Sequence, residues 1–218
     1  MAIKIVDTAE GLKEWLLNII FNVPSAYDNR HVGNVYYNCG YCYYEVNGVK
    51  YVSWDCWNLF KTHAWGWTPG YNKGSFLYAP GKNGIEDWNG KQIMDRCSDV
   101  STNFKSIVPG ELLLTKAEDH MGGYIGEYVY AGKTYNVVEC TPKTSVMTGG
   151  VVLSYVDTQG RRFNCKGGTQ AGSWYYHGKA PWIDYTNGAL TYTVKQSGNK
   201  QIVNVQGKGQ LTIITTIK

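Results

Sequence analysis

The chain changes its hydrophobic pattern once, and this change limits the folds open to it. Residues 55–67 (DCWNLFKTHAWGW) place Cys56, Leu59, Phe60, His63 and Trp67 at the spacing of one helix face. From residue 111 onward, short runs rich in β-branched and aromatic residues alternate with turn residues, as strands do. Helices followed by antiparallel strands are typical of an α+β fold, which we therefore predict.

Local signals place the individual elements. Asp7 and Glu10 have the spacing of an N-cap and its N3 partner, so we predict a helix over about 8–22 with an apolar stripe at Leu12, Trp15, Leu16 and Ile19. Asp55 is the expected N-cap of the second helix, which Gly66 and Pro69-Gly70 should end. A short helix is expected at about 90–97. Strands are predicted at 111–115, 120–128, 134–141, 151–157 and 173–177.

The length of 218 residues suits one domain, and no repeat is visible. We predict a main domain over 1–188 and a short β-rich tail over 189–218. The tail contains three short strand patterns (189–194, 201–205 and 211–218). It is too short for a domain of its own, so we expect it to pack on the main domain, as an extension of the sheet or as a flap.

Composition excludes several classes of protein. With 17% charged and 14% aromatic residues and 26 glycines, the chain is neither disordered nor a coiled coil. A net charge of +4 without a run of Lys and Arg is too weak to indicate nucleic-acid binding, and no apolar run approaches the ~20 residues of a membrane span. The N-terminal segment carries charges and lacks a small-residue cleavage site, so we expect synthesis in the cytoplasm without a signal peptide.

Cys56 is the candidate nucleophile. At the first turn of its helix, unpaired backbone N–H groups and the positive end of the dipole stabilise a thiolate, so we expect a lowered thiol pKa. The alternative is a small core residue on the apolar face, and periodicity alone does not decide between the two.

A nucleophilic thiol needs a base, and His120 is the best placed of the four histidines because it opens a strand after an acidic turn. Glu139, in an otherwise apolar strand, would orient the imidazole from within about 3.2 Å. A four-residue loop at 128–131 would set Glu139 directly opposite His120. A two-residue turn at Ala131-Gly132 would separate them by about 13 Å, and the sequence leaves both registers open.

Three segments carry a resemblance to a known family: VPGELLLTKAEDHMGGYIGEY (108–128), WDCWNLFK (54–61) and YNVVECTP (135–142). In that order, they resemble the "PGDL…HVGIYIG" segment, the Asp-Cys nucleophile segment and the strand of the third residue in cell-wall cysteine amidohydrolases of the NlpC and CHAP types. DWNGKQIMDRC, GGVVLSYVDTQGRR and WYYHGKAPWIDY resemble endolysins of phages and prophages of Gram-positive hosts. The resemblance covers about residues 25–186.

This resemblance implies a half-papain fold, in which a helix that carries the cysteine packs on an antiparallel sheet that carries the histidine. It implies a peptidoglycan hydrolase, in which Cys56 attacks an amide of the stem peptide, His120 moves the proton and Glu139 orients His120. The backbone N–H of Cys56 would contribute to the oxyanion hole, and Asp55 would cap and orient the helix. We expect no metal or cofactor, a monomer, and action on the cell wall after holin-type release.

The resemblance also suggests a substrate groove. It indicates an aromatic wall before the nucleophile, so Tyr36, Tyr37, Tyr41 and Trp57 are candidate substrate-binding residues. Cys39 and Cys42, in the same stretch, have the spacing of half a zinc site, a disulfide or two reduced thiols. Tryptophans could form a sugar-stacking platform, although packing in the core is the simpler interpretation. The set comprises Trp54, Trp57, Trp65, Trp67, Trp174 and Trp182.

Two other functions stay open at this point. A papain-like protease or acyltransferase toxin would use the same Cys-His pair on a protein or lipid. A non-catalytic wall-binding or phage structural module would need neither residue, and the intact trio of Cys56, His120 and Glu139 argues against it.

Overall fold

The computed structural model describes residues 2–22, 41–46, 49–68, 78–186, 191–197 and 200–206, with side chains over 2–22, 54–68 and 78–186. Its helices are α1 (Ala9–Asn22), α2 (Cys56–Ala64) and α3 (Gly90–Met94). Its strands are β1 (Asp7–Thr8), β2 (Tyr41–Val46), β3 (Val49–Trp54), β4 (Ser98–Ser101), β5 (Leu112–Leu114), β6 (Met121–Tyr130), β7 (Lys133–Thr141), β8 (Gly150–Val156), β9 (Arg161–Phe163), β10 (Gln170–Ser173), β11 (Tyr176–Lys179), β12 (Ile183–Asp184), β13 (Thr191–Ser197) and β14 (Lys200–Gln206).

The α+β class is confirmed. The main sheet has eight antiparallel strands in the order β10-β9-β8-β7-β6-β5-β11-β4. The prediction of one strand over 173–177 is wrong, because the chain changes partner at Trp174 and Tyr175. The Trp174 N–H donates to Gly160 O (2.7 Å) and the Tyr175 N–H to Leu114 O (2.9 Å). The segment 170–179 contains both β10, which pairs with β9, and β11, which pairs with β5. It therefore links the two outer strands of the run from β5 to β9, and the sheet is curled toward a barrel.

Helix α2 begins where the sequence predicts. An oxygen of the Asp55 carboxylate accepts the Asn58 N–H (2.7 Å), which is an N-cap bond. The helix ends at Ala64 because Gly66 adopts φ 77°, a left-handed conformation that glycine tolerates. The N–H groups of Gly66 and Trp67 then satisfy the last carbonyls, those of His63 (2.7 Å) and Thr62 (3.1 Å).

Helix α1 has a different cap from the one predicted. Asp7 lies in β1, which pairs in parallel with β12, and its carboxylate contacts Nε2 of His63 (3.1 Å). Thr8 caps the helix instead, because its hydroxyl accepts the Gly11 N–H (3.0 Å). The predicted apolar stripe is confirmed, since all four of its side chains are buried: Leu12, Trp15, Leu16 and Ile19.

The sheet separates two apolar clusters. On one face, α1 packs on β6 and β8 and α2 packs on β6 and β7, around the main core. The other face carries a smaller cluster of Phe104, Leu113, Val137, Val156 and Trp174. Consecutive glycines in β6 serve the two faces. A Cβ at Gly123 would lie 2.8 Å from the Phe60 ring of α2, and one at Gly122 would lie 3.0 Å from the Trp174 ring.

The C-terminal segment forms a hairpin of its own. Strands β13 and β14 pair with each other and, among the described residues, with no strand of the main sheet. The third predicted tail strand, 211–218, lies outside the described residues, and the domain boundary at 188 stays a prediction.

Within the part of the chain that the structure describes, no helix is both long and apolar enough to cross a bilayer.

Candidate active site

The candidate nucleophile stands at the N-terminus of α2. Cys56 is the first residue of the helix, and its side chain is buried, with 5% of the residue exposed. At this position the backbone N–H has no acceptor within the helix, so it is available to an oxyanion. The sequence prediction that Cys56 begins a helix capped by Asp55 is therefore confirmed, and its catalytic role is a separate question.

The sulfur of Cys56 lies against the start of β6. Its Sγ is 3.8 Å from the carbonyl oxygen of Asp119, and the nearby backbone of Met121 favours the ionised thiol. These two residues flank His120. The fold therefore places the thiol next to the backbone on either side of the candidate base, at the start of β6.

The thiol is protonated at rest. Burial raises the pKa of Cys56 to about 12, and the nearby negative charge of Asp55 acts in the same direction. The expectation that the helix N-terminus lowers this pKa is therefore wrong, because loss of solvent outweighs the favourable backbone groups. A thiol of this kind becomes nucleophilic when a base removes its proton as it attacks.

His120 makes the contact that the sequence analysis expected. Its Nε2 lies 2.5 Å from Oε2 of Glu139, whose side chain is completely buried. Among the described residues, Nδ1 of His120 has no hydrogen-bond partner. Asn136, another polar residue of this strand, binds the backbone of Val156 instead.

The hairpin reaches this contact by a register that the sequence analysis did not consider. Its turn is the two-residue turn at Ala131-Gly132, with Tyr130 opposite Lys133. Continued without interruption, that register would set His120 about 13 Å from Glu139 along the strands. A bulge intervenes, since residues 125–127 face a single residue of β7 between the pairs Tyr124–Val137 and Tyr128–Tyr135.

The bulge shifts the register by two residues. Beyond it, Gly122 lies opposite Glu139, so His120 is the diagonal neighbour on the same face. Gly126 adopts φ 74° at this point, a conformation that few other residues tolerate. Of the two alternatives that the sequence left open, the two-residue turn at Ala131-Gly132 is therefore the one present, and the bulge accounts for the contact that the four-residue loop would have explained.

Arg162 and Trp174 complete the surroundings of the His120–Glu139 pair. The sequence analysis did not name Arg162, and it named Trp174 only for a sugar platform or core packing. Nε of Arg162 donates to Oε1 of Glu139 (2.9 Å), and one of its terminal nitrogens lies 2.5 Å from Oε2. Burial opposes ionisation of Glu139, but Arg162 and His120 outweigh it and lower the carboxyl pKa to about 2. The signal that could have found Arg162 is the rule that a buried carboxylate requires a cation.

Trp174 supports the imidazole from the side. Its ring lies nearly parallel to that of His120, with a centroid distance of 5.2 Å and an angle of 17°. The guanidinium of Arg162 lies 5.5 Å from the centroid of the Trp174 ring. The missing side chain of Gly122 leaves the space that this tryptophan occupies. Together these contacts restrict rotation of His120.

Asp55 has a second property beside its capping role. Burial raises its carboxyl pKa to about 6, against the opposing effect of the bond from the Asn58 N–H. Its other oxygen accepts from the side-chain amide of Asn58, whose own Oδ1 is buried without a partner among the described residues. With its amide turned over, Asn58 would accept a hydrogen bond from the protonated carboxyl group of Asp55.

The other histidines do not belong to this site. His63 is buried beside Asp7 and packs against Trp15. His177 is buried with Nδ1 2.5 Å from Glu111 and Nε2 3.1 Å from the carbonyl oxygen of Asn103. His31 lies outside the described residues.

Most candidate substrate-binding residues lie where the structure gives no test. Tyr36, Tyr37 and Cys39 lie outside the described residues, and the side chains of Tyr41 and Cys42 are not described. Trp57 is half-buried and packs against the main core. The sugar-platform interpretation fails for the other tryptophans, which are buried and cannot stack on a ligand at the surface: Trp54, Trp65, Trp67, Trp174 and Trp182.

Three cysteines whose side chains the structure describes, Cys56, Cys97 and Cys165, are free thiols. In the same part of the chain, no group of three or more His, Cys, Asp and Glu side chains is arranged to hold a metal ion. The prediction that the site works without a metal stays a prediction.

Comparison of the chain with protein-family models, with curated proteins and with solved structures finds no match. The assignment of a function therefore depends on the geometry of the site and on the residues that resemble known hydrolases.

Proposed function

We propose that this chain is a cysteine amidohydrolase of half-papain fold that cleaves an amide or peptide bond of peptidoglycan, with Cys56 as nucleophile, His120 as base and Glu139 as the orienting residue. The observation that carries the proposal is the contact of His120 Nε2 with Glu139, 2.5 Å long, beside a thiol at a helix N-terminus. A nucleophile, a base and an acceptor that orients the base form the arrangement of covalent acyl transfer.

The chemistry follows from this arrangement. Nδ1 of His120 takes the thiol proton as the Cys56 sulfur bonds to the substrate carbonyl carbon, and the Cys56 N–H stabilises the oxyanion. The C–N bond then breaks, His120 protonates the leaving amine, and a thioester remains. Water, deprotonated by His120, attacks this thioester, which releases a carboxylic acid and restores the thiol. Glu139 accepts from Nε2 and stabilises the imidazolium in each step.

The choice of peptidoglycan as substrate depends on the resemblance of 54–61, 108–128 and 135–142 to wall hydrolases. The net charge of +4 supports it, since a mildly basic protein approaches an anionic wall more readily. The triad by itself would serve equally for a protein substrate.

A turbidity assay on purified Gram-positive walls, with mass spectrometry of the released fragments, tests the proposal. We expect the wild type to clear walls and release new amine and carboxyl termini, and Cys56→Ser to lose this activity. Cys97→Ser is the matched control, because this thiol donates to the Ile93 carbonyl, a bond that serine can keep. Equal clearing by Cys56→Ser and wild type would contradict the proposed nucleophile, and cleavage of protein but not of walls would contradict the substrate.

A further inference from the structure

Two consecutive arginines in β9 have opposite surroundings. Arg161 is exposed and pairs with Asp157 (2.7 Å) within its own turn. Arg162 points the other way and is nearly buried, with 11% of its side chain exposed. A buried guanidinium is costly unless its donors are satisfied, so its partners indicate why it is there.

The hydrogen-bond donors of Arg162 are directed at Glu139 and at Thr141 of the same strand. Nε and a terminal nitrogen bind the two oxygens of Glu139, and Nη2 also donates to the Thr141 hydroxyl (3.1 Å). This fork holds the carboxylate in one plane, with Oε2 directed at Nε2 of His120. Lysine could supply the charge but not the planar fork.

We propose that Arg162 is a positioning residue of this site, which keeps Glu139 ionised and aligned and thereby holds His120 as the tautomer with Nε2 protonated and Nδ1 free to accept the thiol proton. This inference rests on the proposed function for its kinetic consequences, whereas its effect on the His120 tautomer can be measured without a substrate.

The charges around Glu139 determine the expected pH dependence. Arg162 reaches this carboxylate from β9 and His120 from the residue before β6, while the paired positions in β6 and β8 are the uncharged Gly122 and Val152. Removing the guanidinium favours proton uptake by the His120–Glu139 pair as a whole. The acid limb of the activity profile should therefore move to higher pH.

The experiment compares Arg162→Gln and Arg162→Lys with Arg161→Gln, the neighbouring exposed arginine, in the full-length chain. In the wall assay we expect Arg162→Gln to lower kcat about 10- to 100-fold with little change in KM and to shift the acid limb. Arg162→Lys should recover part of kcat, and Arg161→Gln should behave as wild type. Unchanged kcat and acid limb in Arg162→Gln would overturn the proposal.

A second readout separates this inference from the proposed function. In protein with 15N-labelled histidine, the ring nitrogens of His120, assigned by their loss in His120→Gln, should show a single Nε2–H tautomer at pH 8 in the wild type and a mixture in Arg162→Gln. The wild-type tautomer in Arg162→Gln overturns the inference. If Arg162→Gln fails to fold, a wild-type tautomer and profile in Arg162→Lys overturn it. Inactivity of the wild type on walls, with the tautomer change present, overturns only the proposed function.

Discussion

Glu139 is fully buried, and its charge is kept only because two cationic or proton-donating groups meet it. His120 contacts one oxygen at 2.5 Å and Arg162 reaches both. The Glu139 carboxylate stays ionised throughout the pH range in which enzymes work, since its pKa is about 2. At the scale of the residue, the function of the site therefore depends on electrostatic pairing in a place that water does not reach.

Replacement of Glu139 should reduce turnover more than binding. Glu139→Gln keeps an acceptor for the Nε2–H, so we expect a partial loss of kcat. Glu139→Ala frees the imidazole to rotate and to take the other tautomer, and we expect a loss of about 10–10³-fold, below the ~10⁴ found for the carboxylate of a serine protease triad. Steady-state kinetics on soluble stem-peptide fragments measure this. An alanine variant with a raised KM and unchanged kcat would contradict the orienting role.

Asp55 should make the protein less stable as the pH rises. Its pKa is about 6 in the folded protein and 3.8 ordinarily, so between these values the unfolded chain loses its proton first, and stability falls with increasing pH. Asp55→Asn keeps a capping oxygen without the charge, so its unfolding free energy relative to wild type should rise by about 1–3 kcal/mol from pH 4 to pH 7.

Urea denaturation at several pH values measures this difference, with Asp55→Ala as the control that also loses the cap, worth about 0.5–2 kcal/mol. A pH-independent difference between Asp55→Asn and wild type would contradict the raised pKa. The asparagine variant should also react faster with iodoacetamide, because the Asp55 charge contributes to the high pKa of Cys56.

Two neighbouring glycines let β6 serve both the core and the site. Gly123 admits the Phe60 ring of α2 and Leu16 of α1, at 2.8 and 3.1 Å from where a Cβ would lie. Gly122 admits Trp174 on the opposite face, where this ring supports His120. At the scale of the element, close approach of α2 to the sheet is what brings Cys56 to the start of β6.

Gly123→Ala should separate these elements. We expect a loss of about 1–3 kcal/mol in unfolding free energy from overpacking and a lower kcat, because α2 carries the nucleophile. Phe60→Leu removes the ring atom that clashes with the new Cβ. The losses of stability and of kcat in the double variant should therefore be smaller than the sums of the losses in the two single variants. Thermal denaturation and the wall assay measure the two quantities. Strictly additive effects in the double variant would contradict this account of the packing.

At the scale of the whole molecule, the closing of the sheet assembles the site from distant parts of the chain. The segment 170–179 pairs with β9 by its first half and with β5 by its second, and Trp174 stands at the crossing. Trp174 therefore lies between β9, which carries Arg162, and β6, which begins directly after His120. Residues 120, 139, 162 and 174 meet although they are distant in sequence, and Cys56 lies beside the residue that precedes His120.

Because this assembly supplies a thiol and a base, we expect activity without a metal. EDTA should leave wall clearing unchanged. Iodoacetamide should inactivate slowly near pH 7 and faster at higher pH, since burial and Asp55 keep Cys56 protonated. Time courses of inactivation at pH 6–10 measure this. Loss of activity with EDTA and its restoration by zinc would indicate a metal site near Cys39 and Cys42 instead.

The sequence alone determined the features that depend on near neighbours. The capped start of α2, its stop at Gly66 and the α+β order follow from side chains within a few residues of one another, which act before any tertiary contact forms. Cys56, His120 and Glu139 could be selected because each residue type and its element suit one chemical role.

Only the tertiary structure decided how these residues meet. The register of β6 and β7 depends on a bulge at residues 125–127, whose effect on pairing is not visible in the pattern of either strand. Arg162 and Trp174 reach the site because the sheet closes on itself, and the high pKa of Cys56 comes from burial among distant residues. Burial and pairing across the fold are sums over contacts far apart in sequence, and local patterns contain no information about them.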